Sequence, residues 1–208
     1  MRAAACVAAA ALAMAMPTVA TAYDDTWYQA DFWGGEYPNG FGVAEQTIVD
    51  GRLDPDPDAP ARVRCTLPKG AVFHPWNHDR VESDELDFRS YTLKEIYTVD
   101  TDFTVTLYKE DSWDEVDFDL TEGDSWTYLT YLGEGNFLME YLGATYVADD
   151  QSLFELSSSS GESASDEWMH LKCANNTRGW LLLSEVKALE NIVEPNIVTY
   201  GEAADLAP

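Results

Sequence analysis

By type and spacing, three histidines are the side chains of this chain best suited to metal chemistry. His74 and His78 lie four apart beside Asp79, and His170 stands far along the sequence on an alternating stretch. Their imidazoles could hold zinc or copper if the fold brought His170 to the 74–78 loop. The same spacing on a loop lacks the helical geometry that makes it a ligand pair. No metal and no cofactor is therefore expected, and His74, His78 and His170 stand as candidates only. Carboxylate pairs suited to glycoside hydrolysis can be drawn almost anywhere among 38 acidic residues, so Asp111–Glu115 and Asp117–Asp119 read as solvated loop and strand edges. Serines gather in 157–165 without a nucleophile elbow or a His–Asp partnership, and no glycine-rich phosphate loop occurs. The expectation is a protein that binds rather than catalyses.

Aromatic residues carry the binding signal. Trp126, Trp168 and Trp180 sit in alternating stretches and read as barrel core or hairpin edge. Trp33, Trp76 and Trp113 sit in irregular, acidic surroundings, where an indole can stack on a sugar ring or clamp a peptide. These three are the candidate ligand contacts.

Residues 1–22, with one charge at Arg2, an apolar run and Ala20-Thr21-Ala22, read as a secretory signal peptide. A membrane anchor fits less well, since the run is short and turns polar at Tyr23-Asp24-Asp25. No other segment is long and apolar enough to span. The expected address is the periplasm or the cell exterior. Without that segment, 11 Lys and Arg face 38 Asp and Glu, a net charge of −27. Such a surface repels nucleic acid and anionic lipid. Two readings of the acidity stay open: solubility in salty surroundings, or attraction to a basic protein or divalent cations. Cys65 and Cys173 remain after processing, and an exported pair most simply forms one disulfide, with a catalytic thiol as the alternative.

The elements that would position these groups are strands. In Trp168–Cys173, Met169, Leu171 and Cys173 alternate with His170 and Lys172, predicting a strand with one buried face. Ala174-Asn175-Asn176-Thr177 is a turn, and Gly179–Leu183 restarts an apolar strand. Arg62–Leu67 and Ala71–His74, joined by Pro68-Lys69-Gly70, read as a strand pair, and Gly42–Val49 as a further strand. Arg89–Val99 leans to strand on its Tyr, Thr, Ile and Val content. Phe103, Val105 and Leu107 share one face of Phe103–Tyr108, and strands follow at Ser125–Leu132, Phe137–Leu142 and Ala144–Ala148 between glycine turns. Leu53–Pro60, with three prolines and three aspartates, reads as an exposed linker or loop, and Ser157–Ser165 as a flexible linker.

The order of tryptophan, strand, polar turn, Gly179-Trp180, aliphatic strand and Ser184-Glu185-Val186 resembles the last two strands of a bacterial SH3-like (SH3b) barrel. Leu120–Leu156 resembles the same plan, so the likeness spans about residues 103–188, although the Asn-x-Arg-Ser-Gly-Pro opening of many such domains is missing. The resemblance implies an all-β fold of small SH3-like barrels, two packed together, after an irregular N-terminal region. The expected division is 1–22 signal, 23–60 irregular segment and acidic linker, 61–101 β region completing a split barrel with 166–188, 102–156 barrel, 157–165 linker, and 189–208 tail. A single barrel with a long excursion is the simpler alternative. By analogy with SH3b domains of cell-wall proteins, the implied function is a non-catalytic envelope protein recognising peptidoglycan or a peptide or protein ligand. Alternatives are an acidic inhibitor of a basic enzyme such as lysozyme and an accessory protein of a cell-wall hydrolase.

Overall fold

A computed structural model describes residues 22–31, 39–75, 85–199 and 202–204. Strands make up 53% of it, all the sheets are antiparallel, and no helix reaches 7 residues. Two sheets dominate, each with its own core.

The larger sheet has seven strands and curls into a half-barrel. Its order is β13 (Ser157–Ser159), β7 (Glu95–Val99), β10 (Ser125–Gly133), β11 (Asn136–Tyr141), β12 (Ala144–Ala148), β8 (Phe103–Lys109) and β9 (Glu115–Leu120). The alternation read in the sequence sets its inner face: Val105 and Leu107 point in with Leu120, Trp126, Phe137 and Met139. The short helix α1 (Ser152–Glu155) adds Leu153 and Phe154, whose ring lies edge-on to Tyr97 and Trp126. Trp126 Nε1 donates to Ser157 Oγ at 3.1 Å, which satisfies the one polar atom of a buried indole. That bond and the pairing with β7 place Ser157–Ser159 in the sheet, so the linker expected at 157–165 starts as an edge strand.

The second sheet runs β1 (Trp27–Ala30), β6 (Leu86–Leu93), β14 (Ser165–Lys172), β15 (Arg178–Leu182). The expected alternation holds, with Met169, Leu171 and Cys173 buried, His170 half-buried and Lys172 exposed, and at Trp168 the opposite face is covered as well. Met169, Leu171 and Cys173 enter a core with Phe41, Val49, Leu67, Phe88, Leu181 and Val186. Trp168, on the opposite face and 0% exposed, packs with Tyr91, Trp180, Leu182, Tyr23 and Trp27. Tyr23 stacks on Tyr91 at 3.7 Å, donates to Asp166 Oδ2 at 2.7 Å and accepts from Trp168 Nε1 at 2.8 Å. An aromatic layer can cover a face that alternation alone marks as polar.

The first core is roofed by β2 (Phe41–Val43), β5 (Val72–Phe73) and β16 (Ile192–Val193), by the pair β3 (Thr47–Gly51) and β4 (Val63–Leu67), and by α2 (Leu183–Lys187). A small hairpin, β17 (Asn196–Thr199) and β18 (Glu202–Ala204), follows. The expected hairpin of Arg62–Leu67 with Ala71–His74 does not form: β4 pairs β3, and β5 pairs β2. The turn at Pro68-Lys69-Gly70 instead hands the chain to a different strand, with Gly70 N–H donating to Val43 O at 2.8 Å. The expected strand Gly42–Val49 is likewise broken after Val43, which lets its halves serve separate sheets. Burial of Phe41 against Phe73 and of Val49 beside Cys65 decides the pairing, which local spacing could not.

Cys65 and Cys173 form a disulfide with Cα atoms 5.2 Å apart, both cysteines buried. It fits an oxidising, extracytoplasmic compartment. Around it, Thr177 Oγ1 and Asn175 Nδ2 donate to Arg64 O, and Ala174 N–H donates to Thr66 O. Residues 62–67 thus lie against the 168–183 hairpin, while its direct sheet partner is Leu86–Leu93. Gly179 permits the close approach, since a Cβ there would meet Val63 at 2.8 Å. Leu53–Pro60 is tethered rather than free: the buried Arg52 guanidinium forms a bidentate pair with Glu185 at 2.8 Å, bonds Pro57 O and Ala59 O, and lies over Trp168.

Candidate functional site

The two sheets meet along β6, β10 and the start of β14, and the seam opens into a cleft of about 160 Å³. Its walls are Ser90 and Thr92 of β6, Tyr128, Thr130 and Tyr131 of β10, and Ser163, Ala164, Ser165 and Glu167 leading into and along β14. Seven of these nine residues carry a hydroxyl, and one carries a charge when ionised. In a chain with a formal net charge of −26, this is a near-neutral, hydrogen-bonding concavity.

Local irregularity builds it. Tyr128 faces Met139 and Thr130 faces Leu138, so Leu129 is an extra residue in β10 and forms a bulge. The bulge lets Leu129 join Leu138 and Val147 on the outer face beside Tyr28, while Thr130 meets Thr92, whose Oγ1 donates to Thr130 Oγ1 at 3.3 Å. Strand β1 holds the seam shut from outside, with Trp27 on the aromatic layer of one sheet and Tyr28 on the outer patch of the other. Tyr131 is 40% exposed and its hydroxyl accepts from Gly135 N–H at 3.1 Å, leaving a fixed aromatic surface at the rim.

Glu167 pairs with Ser90 across β14 and β6 and lies on the same face as Met169 and Leu171. Burial pushes its carboxyl up to about 7, against the opposing pull of a hydrogen bond from Asn39 and the charge of Lys187. Asn39 Oδ1 in turn accepts from Lys187 Nζ at 2.9 Å, and Lys187 pairs with Glu194 at 3.2 Å. Protonated, Glu167 can donate a hydrogen bond, and ionised it places an anion at the end of an otherwise uncharged cleft. The cleft can donate to and accept from hydroxyl and amide groups throughout. Its volume is well under the roughly 300 Å³ at which drug-sized pockets begin, so it fits one ring or one side chain.

Of the candidate ligand contacts, Trp113 is 61% exposed at the tip between β8 and β9, 6.3 Å from Tyr108 and not among the cleft residues. Trp33 and Trp76 lie outside the described residues. His74 is buried beside Gly40, the His170 ring lies tilted against Trp180 with centroids 5.0 Å apart, and His78 lies outside the described residues. Burial holds the His170 imidazole below its ordinary value. Among the described residues, no three His, Cys, Asp or Glu side chains converge as metal ligands would. Comparison with protein-family models, curated proteins and solved structures finds no match. Sequence reasoning passed over Glu167, Thr130 and Tyr131. One signal for Glu167 was present: it is an acid in phase with the apolar face of its own strand.

Proposed function

We propose that this chain is a non-catalytic, exported binding protein of the bacterial cell envelope, periplasmic or secreted, built from SH3-like β units. Its ligand is a peptidoglycan segment, one ring or side chain of which enters the cleft between the two sheets. The carrying observation is that cleft, hydroxyl-lined and near-neutral within a strongly acidic protein. Sugars and peptides present alternating donors and acceptors that such a lining matches, and the rim ring of Tyr131 offers a stacking face. The signal-like residues 1–22 and the buried disulfide support the address. The SH3-like reading rests on the turn-and-strand order of 103–188.

Titration calorimetry with soluble muropeptides tests this reading. Binding that persists at about 500 mM salt and weakens about tenfold in Tyr131→Ala is expected, since stacking is insensitive to screening. Absence of binding by every muropeptide, or equal binding by the variant, would remove the cleft as the site.

A further inference from the structure

Strand β9 ends the seven-stranded sheet, and among the described residues it pairs only with β8. At six residues it is a longer edge than β13, which has three. Its register with β8 sets Thr104 opposite Asp119, Thr106 opposite Asp117 and Tyr108 opposite Glu115, all on the outer face, while Val116, Phe118 and Leu120 lie opposite the inward row of Leu107, Val105 and Phe103. Thr104 Oγ1 and Thr106 Oγ1 each donate to Oδ1 of the facing aspartate at 2.8 Å, which holds both carboxylates upright on that face.

The main-chain geometry points the same three residues outward. Lys109 N–H donates to Asp114 O at 3.0 Å, so the alternation of an antiparallel ladder next bonds Leu107 with Val116 and Val105 with Phe118. The N–H and C=O groups of Glu115, Asp117 and Asp119 then face the open edge. These residues are exposed, and each presents both an unpaired backbone and a carboxylate. Just before them, Trp113 holds a φ of 60° and exposes its indole beside Tyr108 on this same outer face. The field there is negative: the charge of Asp149, followed by partial burial and then Glu115, pushes the Tyr108 phenol above its ordinary value.

We propose that the free edge of β9 docks an extended, cationic segment of a partner protein, which adds as an eighth strand with Lys or Arg at alternate positions. Main-chain hydrogen bonds to Glu115, Asp117 and Asp119 supply the pairing, as in β-strand addition. Residues directly opposite on one face of neighbouring strands have Cβ atoms about 5 Å apart, so a basic side chain at every second position meets a carboxylate each time. A cation next to the first of them reaches the face of Trp113. The same carboxylates exclude a second copy of this acidic chain, because like charges directly opposite destabilise a strand pair. The edge is therefore closed to self-association and open to basic strands, and it is separate from the cleft.

The test uses the full chain and three short labelled peptides. One has Lys at alternate positions between valines, the second is the same peptide with alternate backbone amides methylated, and the third has equal charge in one contiguous block. Fluorescence anisotropy at about 50 mM salt should show the first binding about tenfold tighter than either control. Hydrogen exchange should slow at the amides of residues 115, 117 and 119. Asp117→Asn with Asp119→Asn, which keeps an oxygen to accept from each threonine hydroxyl, should weaken binding about tenfold, and Trp113→Ala is an independent variant expected to weaken it without touching the ladder. Equal binding of the methylated peptide, absence of binding by the first peptide, or exchange protection elsewhere than β9 would overturn the proposal.

Discussion

Removing the Cys65–Cys173 bridge tests how the two cores are coupled. The bond spans 108 residues, and the chain-entropy relation assigns a loop of that length about 5 kcal/mol at 25 °C. Within that loop lies the whole of Glu95–Ser159, which packs the core of the seven-stranded sheet and whose ends are neighbours, Tyr97 facing Ser159. If this unit stays folded while the first opens, the flexible part shrinks to about 43 residues and the stabilisation to about 4 kcal/mol. The two figures are close because closure entropy grows only logarithmically, so about 4 to 5 kcal/mol is expected in either case. What differs is where the loss appears. Trp126 reports the seven-stranded core, and Trp168 and Trp180 report the aromatic layer of the other sheet. In Cys65→Ala with Cys173→Ala, urea unfolding followed through single-tryptophan variants should shift the Trp168 and Trp180 transition while leaving that of Trp126 in place. A loss below about 1 kcal/mol would refute the loop-entropy account. An equal shift in both signals would refute the division into two cores.

Four further outcomes rest on individual residues. Arg52→Met should cost about 2 to 3 kcal/mol and open residues 53–60 to proteolysis, because the guanidinium holds Pro57 O, Ala59 O and Glu185 at once. A double-mutant cycle with Glu185→Gln should show coupling that fades with acid: the Arg52 hydrogen bond lowers the Glu185 carboxyl, so its contribution is present above the ordinary carboxylate value and is lost as pH falls through the lowered one. Glu167 has the opposite sign. Its carboxyl, raised from 4.5 to about 7, favours the protonated folded state, so stability should fall by roughly 3 kcal/mol at most as pH rises from about 4.5 through about 7. Glu167→Gln should flatten that slope in a series of urea melts, and an unchanged slope would refute the assignment. Leu142, at a φ of 52° and 78% exposed in the β11–β12 turn, gains nothing from its side chain, and Leu142→Asn should raise stability by about 1 kcal/mol in thermal melts. A lower melting temperature would show that the exposed leucine has a partner.

Much of the strand inventory was legible because it depends on short-range rules. Alternation in Phe103–Tyr108 placed Val105 and Leu107 inside, and the glycine turns delimited β10, β11 and β12. The turn expected at Ala174–Thr177 is present, with Asn176 at a φ of 61°, the left-handed region that Asn tolerates. The bulge at Leu129 was not legible, since an inserted residue looks like continued strand until its partner is known, and the cleft depends on it.

From residue types alone came the strand-rich class, the acidity, the polar and apolar faces of most strands, and the pairing of the two cysteines left beyond the signal-like segment. These follow from local stereochemistry and from composition, which the chain carries whatever it packs against. Only the tertiary structure decided that β4 leaves β5 for β3, that Tyr23, Trp27 and Tyr91 are the rings that cover Trp168, and that Ser90, Thr130 and Glu167 line one cleft. Each is a choice among partners distant in the chain, settled by how much apolar surface the whole assembly buries, a quantity no single stretch contains.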